Sequence, residues 1–159
     1  MGIRYYAYAF PPELTAAARA DPRAFIGRDP LADAWGTVPG AQFSVITGVP
    51  ALPAEDMLYL DKAWPGLQSL TAPDQPGAPP RPAFRMFEGK VRFTDRGWDP
   101  WVRAVTPEEV PRIAEDVALL QRETPDGAAD DYVLEYLEAA VAFTAHQASV
   151  GRGFAYLIG

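Results

Sequence analysis

Apolar positions change their spacing several times along the chain, and each spacing names an element. From Ile3 to Phe10 the residues Ile3, Tyr5, Ala7 and Ala9 alternate with Arg4, Tyr6, Tyr8 and Phe10. Both faces therefore carry substantial side chains, which suits a strand inside a sheet. Pro11-Pro12-Glu13 then opens a helix to about Ala20, because a first turn does not need the donor that proline lacks and Glu13 suits the positive helix end. Between Asp21 and Pro53 the pattern is broken by Asp21-Pro22, Asp29-Pro30, Val38-Pro39-Gly40 and Val49-Pro50. Only a brief helix around Pro22 to Gly27 and a strand at Phe43 to Thr47 are expected there.

The segment Leu60-Asp61-Lys62-Ala63-Trp64-Pro65-Gly66-Leu67-Gln68-Ser69-Leu70-Thr71 returns to helical spacing, with Trp64, Leu67 and Leu70 or Thr71 on one side. Pro65 belongs in a first turn. That places the start near Asp61, whose carboxylate is a good N-cap. A competing placement runs a helix from Ala54 to Ala63 and stops before Pro65. In the first placement Asp61, Trp64 and Gln68 share a face and form the rim of a candidate binding cleft, the alternative being core packing behind a capped end.

Ala72 to Pro82 is rich in proline and glycine and reads as a surface loop, with a proline-motif docking site as its functional alternative. Short strands are expected at Phe84 to Phe87, Val91 to Phe93 and Val102 to Val105. Thr106-Pro107-Glu108-Glu109 is a capping box, with the Thr106 hydroxyl serving the Glu109 amide and Glu109 reaching back. The helix it opens buries Val110, Ile113, Val117 and Leu120, ends near Thr124, and is expected to be distorted at Pro111. A second long helix runs from about Asp130 to Val150 with Val133, Leu137, Ala140, Val141 and Thr144 on one side. Gly151 stops it, and Gly153 to Ile158 forms a final strand beside the first. These elements make an α+β fold: a single compact domain over 1–159, with a mixed or antiparallel sheet and two long C-terminal helices packed on it.

Composition narrows the chemistry. The 159 residues are 48% apolar and 12% aromatic, enough for one folded core. A formal charge of −7 works against binding to phosphate backbones, so nucleic acid is not an expected partner. With no cysteine and one histidine, thiolate and multi-histidine metal sites are excluded. No apolar run is long enough to span a bilayer, and Tyr6 stands where a myristoylation signal needs Ser or Thr. The expected setting is the cytoplasm, away from membranes.

Three segments resemble the YfbM-like family of small bacterial domains of unknown function. They are Met1-Gly2-Ile3 before the aromatic strand, Leu60-Asp61-Lys62-Ala63-Trp64 with Leu67 and Leu70-Thr71, and Thr106-Pro107-Glu108-Glu109-Val110. The resemblance implies a compact mixed α and β domain and brings no established active site. Relatives commonly carry a histidine soon after the tryptophan, where Gln68 stands here, and sometimes another where Pro65 stands. Neither side chain titrates, so acid–base work by such a histidine does not extend to this chain.

The remaining candidates are weighed against ordinary roles. His146 is the one possible base for Ser44, Ser69 or Ser149, yet no nucleophile signature accompanies it, and a helix-end histidine is the simpler reading. Asp95 and Asp99, beside Trp98 and Trp101, offer two carboxylates and two aromatic faces for a hydrolase acting on a sugar or flat ligand, against turn chemistry and packing. Gly151-Arg152-Gly153 lacks the context of a dinucleotide fingerprint, so no cofactor is expected. The leading functional expectation is a non-catalytic domain that binds a protein partner or small ligand through Asp61, Trp64, Gln68, Asp95, Trp98, Asp99 or Trp101. No pattern sets the oligomeric state.

Overall fold

A computed structural model describes residues 2–36, 43, 46, 48, 50 and 52–159. In chain order its elements are β1 (Tyr5–Phe10), α1 (Thr15–Ala20), α2 (Pro30–Gly36), β2 (Met57–Asp61), α3 (Trp64–Thr71), α4 (Phe84–Phe87), β3 (Arg92–Thr94), β4 (Gly97–Asp99), β5 (Trp101–Val105), α5 (Val110–Glu123), α6 (Asp131–Val150) and β6 (Gly153–Ile158). Single 3-10 turns at Pro12–Leu14, Pro22–Phe25 and Ala54–Asp56 complete them. The main sheet has the order β2-β1-β6-β5 and is antiparallel throughout, while β3 and β4 form a separate two-stranded ribbon.

Alternation in the central strands feeds two cores. Tyr5 and Ala7 of β1, with Phe154, Tyr156 and Ile158 of β6, pack under the helices against Leu67, Phe87, Val117, Leu137 and Phe143. Tyr6, Tyr8, Ala155 and Leu157 face the other way, toward Ile26, Met57, Leu31 and Ala34. Both faces are covered, so both middle strands are apolar along their whole length, and the domain is an α+β fold with its two long C-terminal helices on the larger core.

The two long helices follow their sequence signals closely. Val110, Ile113, Val117 and Leu120 are buried, as expected. Glu109 does reach back, its carboxylate accepting from the Thr106 amide at 2.7 Å. The Glu109 amide, however, is served by the Thr106 carbonyl at 3.0 Å and not by the hydroxyl. The α-helix proper begins at Val110, which puts Pro111 in the first turn, where the expected distortion has no cause. Asp130 caps α6 by accepting from the Tyr132 amide at 2.9 Å, and Gly151, at φ 68°, closes it in the left-handed conformation.

Three other expectations are corrected. Neither placement of the central helix holds: Met57–Asp61 is a strand paired with β1, and α3 starts at Trp64 with Ala63 before it, so Asp61 is no helix cap. Phe84–Phe87 is one helical turn and not a strand. Pro30–Gly36, expected to be irregular, is helical. Of the strand expected at Phe43 to Thr47, Phe43 bridges Pro50, Ile46 lies in a turn, and the other positions lie outside the described residues.

Candidate functional site

Helix α4 is too short to satisfy its own last carbonyls, and side chains from the core answer them. Tyr5 donates its hydroxyl to the Met86 carbonyl at 2.8 Å, and Tyr156 donates to that of Glu88 at 2.9 Å. The Gln68 amide donates to the carbonyls of Phe87 at 2.8 Å and Gly89 at 3.0 Å. Burial pushes both phenols above their ordinary pKa, so they stay protonated donors. Arg85 adds bonds to Glu88, Glu109 and the Ala104 carbonyl. At Gly89, φ is 143° and the Trp101 ring lies 2.5 Å from where a Cβ would stand, so only glycine fits. Trp101 in turn donates its indole N–H to the Tyr156 hydroxyl at 3.3 Å. Both ends of the segment from 90 to 100 are thus tied to Tyr156.

On that base stands the β3–β4 hairpin. Its register sets Arg92 opposite Asp99, Phe93 opposite Trp98 and Thr94 opposite Gly97, with Asp95 and Arg96 at the tip. Directly opposed residues share a face, so one face of the ribbon carries Phe93 and Trp98 and the other Arg92, Thr94 and Asp99. Phe93 is 74% exposed and Trp98 38%. Beside the polar face lies an open groove of about 570 Å³ lined by Lys90, Val91, Arg92, Asp99, Pro100 and Trp101. The Arg103 guanidinium stacks 3.9 Å from the centre of the Trp101 ring. Among the described residues no ion pair engages Lys90, Arg92 or Arg96.

The other sequence candidates are dispersed. Asp61 ends β2 in the left-handed region, at φ 44°, a conformation Asp tolerates better than most residues. One of its oxygens accepts from Arg4 and the Tyr59 hydroxyl, each at 2.8 Å, and the other from the Tyr132 hydroxyl at 2.7 Å. Burial disfavours the Asp61 carboxylate, but these donors outweigh it and hold the carboxyl below its usual range. Burial and the bond to Asp61 push the Tyr132 phenol up to about 12. Trp64 packs on the larger core and donates to the Ile3 carbonyl at 3.3 Å. Asp61, Trp64 and Gln68 therefore bond different parts of the chain, and the single helical face expected to carry all three is not formed, since Asp61 belongs to β2.

Asp95 and Asp99 part company as well. Asp99 lines the groove with Trp101, whereas Asp95 sits at the exposed tip. Trp101 packs on the larger core, whereas Trp98 keeps 38% of its surface exposed. His146 is half-buried at a cleft of about 320 Å³ between β2 and α6, lined chiefly by Met57, Tyr59, Ala139, Ala142 and Phe143, with Glu55 at its margin. Ser149 donates its hydroxyl to the His146 main-chain carbonyl at 2.7 Å, and Ser69 donates to that of Pro65 at 2.9 Å. Neither is activated by an imidazole. Ser44 lies outside the described residues. Next to the histidine, Gln147 is wholly buried, donates to the Glu55 carbonyl at 2.6 Å, and leaves Oε1 without a partner.

Sequence reasoning passed over Phe93, Lys90, Arg92 and Arg96 as functional residues. The alternation of Arg92, Phe93 and Thr94 against Gly97, Trp98 and Asp99 across a two-residue turn was the available signal. Comparison with protein-family models, with curated proteins and with solved structures finds no match.

Proposed function

We propose that this chain is a non-catalytic binding domain whose docking element for a protein partner is the β3–β4 hairpin. The supporting observation is the opposed pair Phe93 and Trp98, exposed on a ribbon whose base is bonded to the buried sheet. Aromatic residues held rigidly at a surface give large contact area at little entropic cost. A two-carboxylate hydrolase is the weaker reading, because the groove takes Asp99 without Asp95. Membership of the YfbM-like family and a cytoplasmic setting belong to the same proposal. The first rests on the three resembling segments. The second rests on the absence of cysteine and on the finding that no described helix is long and apolar enough to cross a membrane.

The test is affinity capture from a lysate of the native host with wild-type protein and with the double variant Phe93→Ser/Trp98→Ser. Partners recovered by the wild type should be lost with the variant while its circular dichroism is unchanged. Equal recovery by both proteins sinks the proposal.

A further inference from the structure

Away from the hairpin, β2 and α6 leave between them the cleft of about 320 Å³ that His146 borders. Ala139, Ala142, Phe143 and His146 lie at positions i, i+3, i+4 and i+7 of α6, so one stripe of the helix makes a whole wall. On the β2 side stands Tyr59. Its ring is stacked on Tyr6 at 5.4 Å and meets Tyr136 edge-on at 6.5 Å, and its hydroxyl is tied to Asp61. At the turn over residues 54–56 the Gln147 amide donates to the Glu55 main-chain carbonyl at 2.6 Å, which fastens that turn to α6. The cleft is therefore preformed, and its volume lies at the lower end of those that hold small molecules.

Charge decides the class of ligand. Among the described residues no ion pair engages Glu55, whereas its neighbour Asp56 is answered by Arg152 at 2.8 Å. Beside His146, Gln147 holds a buried amide oxygen without a partner, a partial negative charge that no water screens. No lysine or arginine lines the cleft, and the chain as a whole carries −7. An apolar carboxylate would meet Glu55 with no counter-charge. An apolar ammonium would meet that carboxylate and the field of the whole chain together. We infer that the cleft is a binding site for a small hydrophobic amine, its apolar body against Phe143, Tyr59 and the two alanines and its ammonium group paired with Glu55. The site is separate from the β3–β4 hairpin, so it stands or falls independently of the docking reading.

His146 is the one histidine of the chain, so its imidazole proton resonances report what enters the cleft without ambiguity. Phenethylamine, titrated at about pH 8 so that the amine is charged and imidazole neutral, should shift them saturably. Phenethyl alcohol has the same body without the charge and should bind about threefold more weakly, with phenylacetate weakest of the three. Glu55→Gln keeps the main-chain carbonyl that Gln147 uses and should erase the preference for the amine over the alcohol. Ala142→Phe, at an exposed position of α6 that lines the cleft, should fill it and abolish the shift by all three compounds. Circular dichroism is the folding control, and Glu55→Gln, on an exposed turn, keeps the test decisive if Ala142→Phe misfolds. The inference is overturned by the absence of a saturable shift up to about 10 mM amine, or by a shift that persists in Ala142→Phe. Phenylacetate binding as tightly as phenethylamine overturns it too, as does a preference for the amine that survives Glu55→Gln.

Discussion

Asp61 and Trp98 mark two regions built on opposite terms. At Asp61 the fold brings Arg4 from the start of the chain, Tyr59 from the same strand and Tyr132 from α6 onto one carboxylate, and both oxygens are answered. At Trp98 the chain sets an aromatic pair on a ribbon and leaves it, with Lys90, Arg92 and Arg96, facing solvent. The first arrangement spends polar groups on internal closure. The second leaves aromatic surface exposed, although Tyr5, Tyr156 and Gln68 bond the chain at its base. Acids and aromatic residues occur in both places, so composition does not separate a structural junction from a docking surface. What separates them is whether each group's partner comes from the same chain.

The largest effect should follow from breaking the Asp61 junction. Asp61→Leu strands three donors and forces a bulky side chain into φ 44°, and should cost about 2–4 kcal/mol. Asp61→Asn tolerates the backbone and keeps one acceptor, so about half that loss is expected. Urea unfolding measures both. A loss below about 0.5 kcal/mol for the leucine variant would erase the contrast with the hairpin.

Gln68→Leu comes next, at about 1–2 kcal/mol, since it removes the donor to the Phe87 and Gly89 carbonyls. It also sharpens the comparison, because amide exchange should rise across residues 90–99 while staying unchanged in β1 and β6. Uniform acceleration would mean that Gln68 supports the whole fold and not the hairpin base.

A smaller effect is the pH dependence of the Asp61 junction. The folded carboxyl titrates below its unfolded value near 4. Its contribution is therefore present above about pH 4 and is lost as pH falls through the lower, folded value. At the other end the folded Tyr132 phenol sits at about 12 against about 10 unfolded. Its contribution is complete below pH 10 and disappears between about 10 and 12. Asp61→Asn should flatten both limbs, and denaturation midpoints across pH measure the change.

The order in which these regions became legible has a physical reason. Strands β1 and β6 and helices α5 and α6 are written in local periodicity, with caps at Asp130 and Gly151, and they are found where that periodicity puts them. Met57-Leu58-Tyr59-Leu60 has no such period. What makes it a strand is pairing with β1, whose residues are some fifty positions away in the chain. The Asp61 junction was hidden for the same reason, since Arg4 and Tyr132 lie 57 and 71 positions from it. The hairpin was half visible. Its turn and aromatic residues stood out as Asp95, Trp98, Asp99 and Trp101, but alternation looks the same whether the apolar face meets a core or the solvent. Only the fold shows that Trp101 packs on the core while Phe93 and part of Trp98 stay exposed.

The smallest expected effect on stability is also the one that bears most on function. Phe93→Ser/Trp98→Ser removes two large aromatic side chains, a change that in a core would cost several kcal/mol. Here neither ring belongs to the two clusters of buried residues or to the groups packed against them, and the bonds to Phe87, Glu88 and Gly89 lie outside the substituted strands. The unfolding free energy should therefore change by no more than about 0.5 kcal/mol, the range of ordinary surface substitutions, while partner capture disappears. A protein whose stability is insensitive to losing two aromatic residues, yet whose partner capture depends on them, has placed them for that partner. A stability loss of about 3 kcal/mol or more, as in core truncation, would assign the pair to packing that surface exposure fails to reveal, and the distinction between the Asp61 junction and the hairpin would collapse.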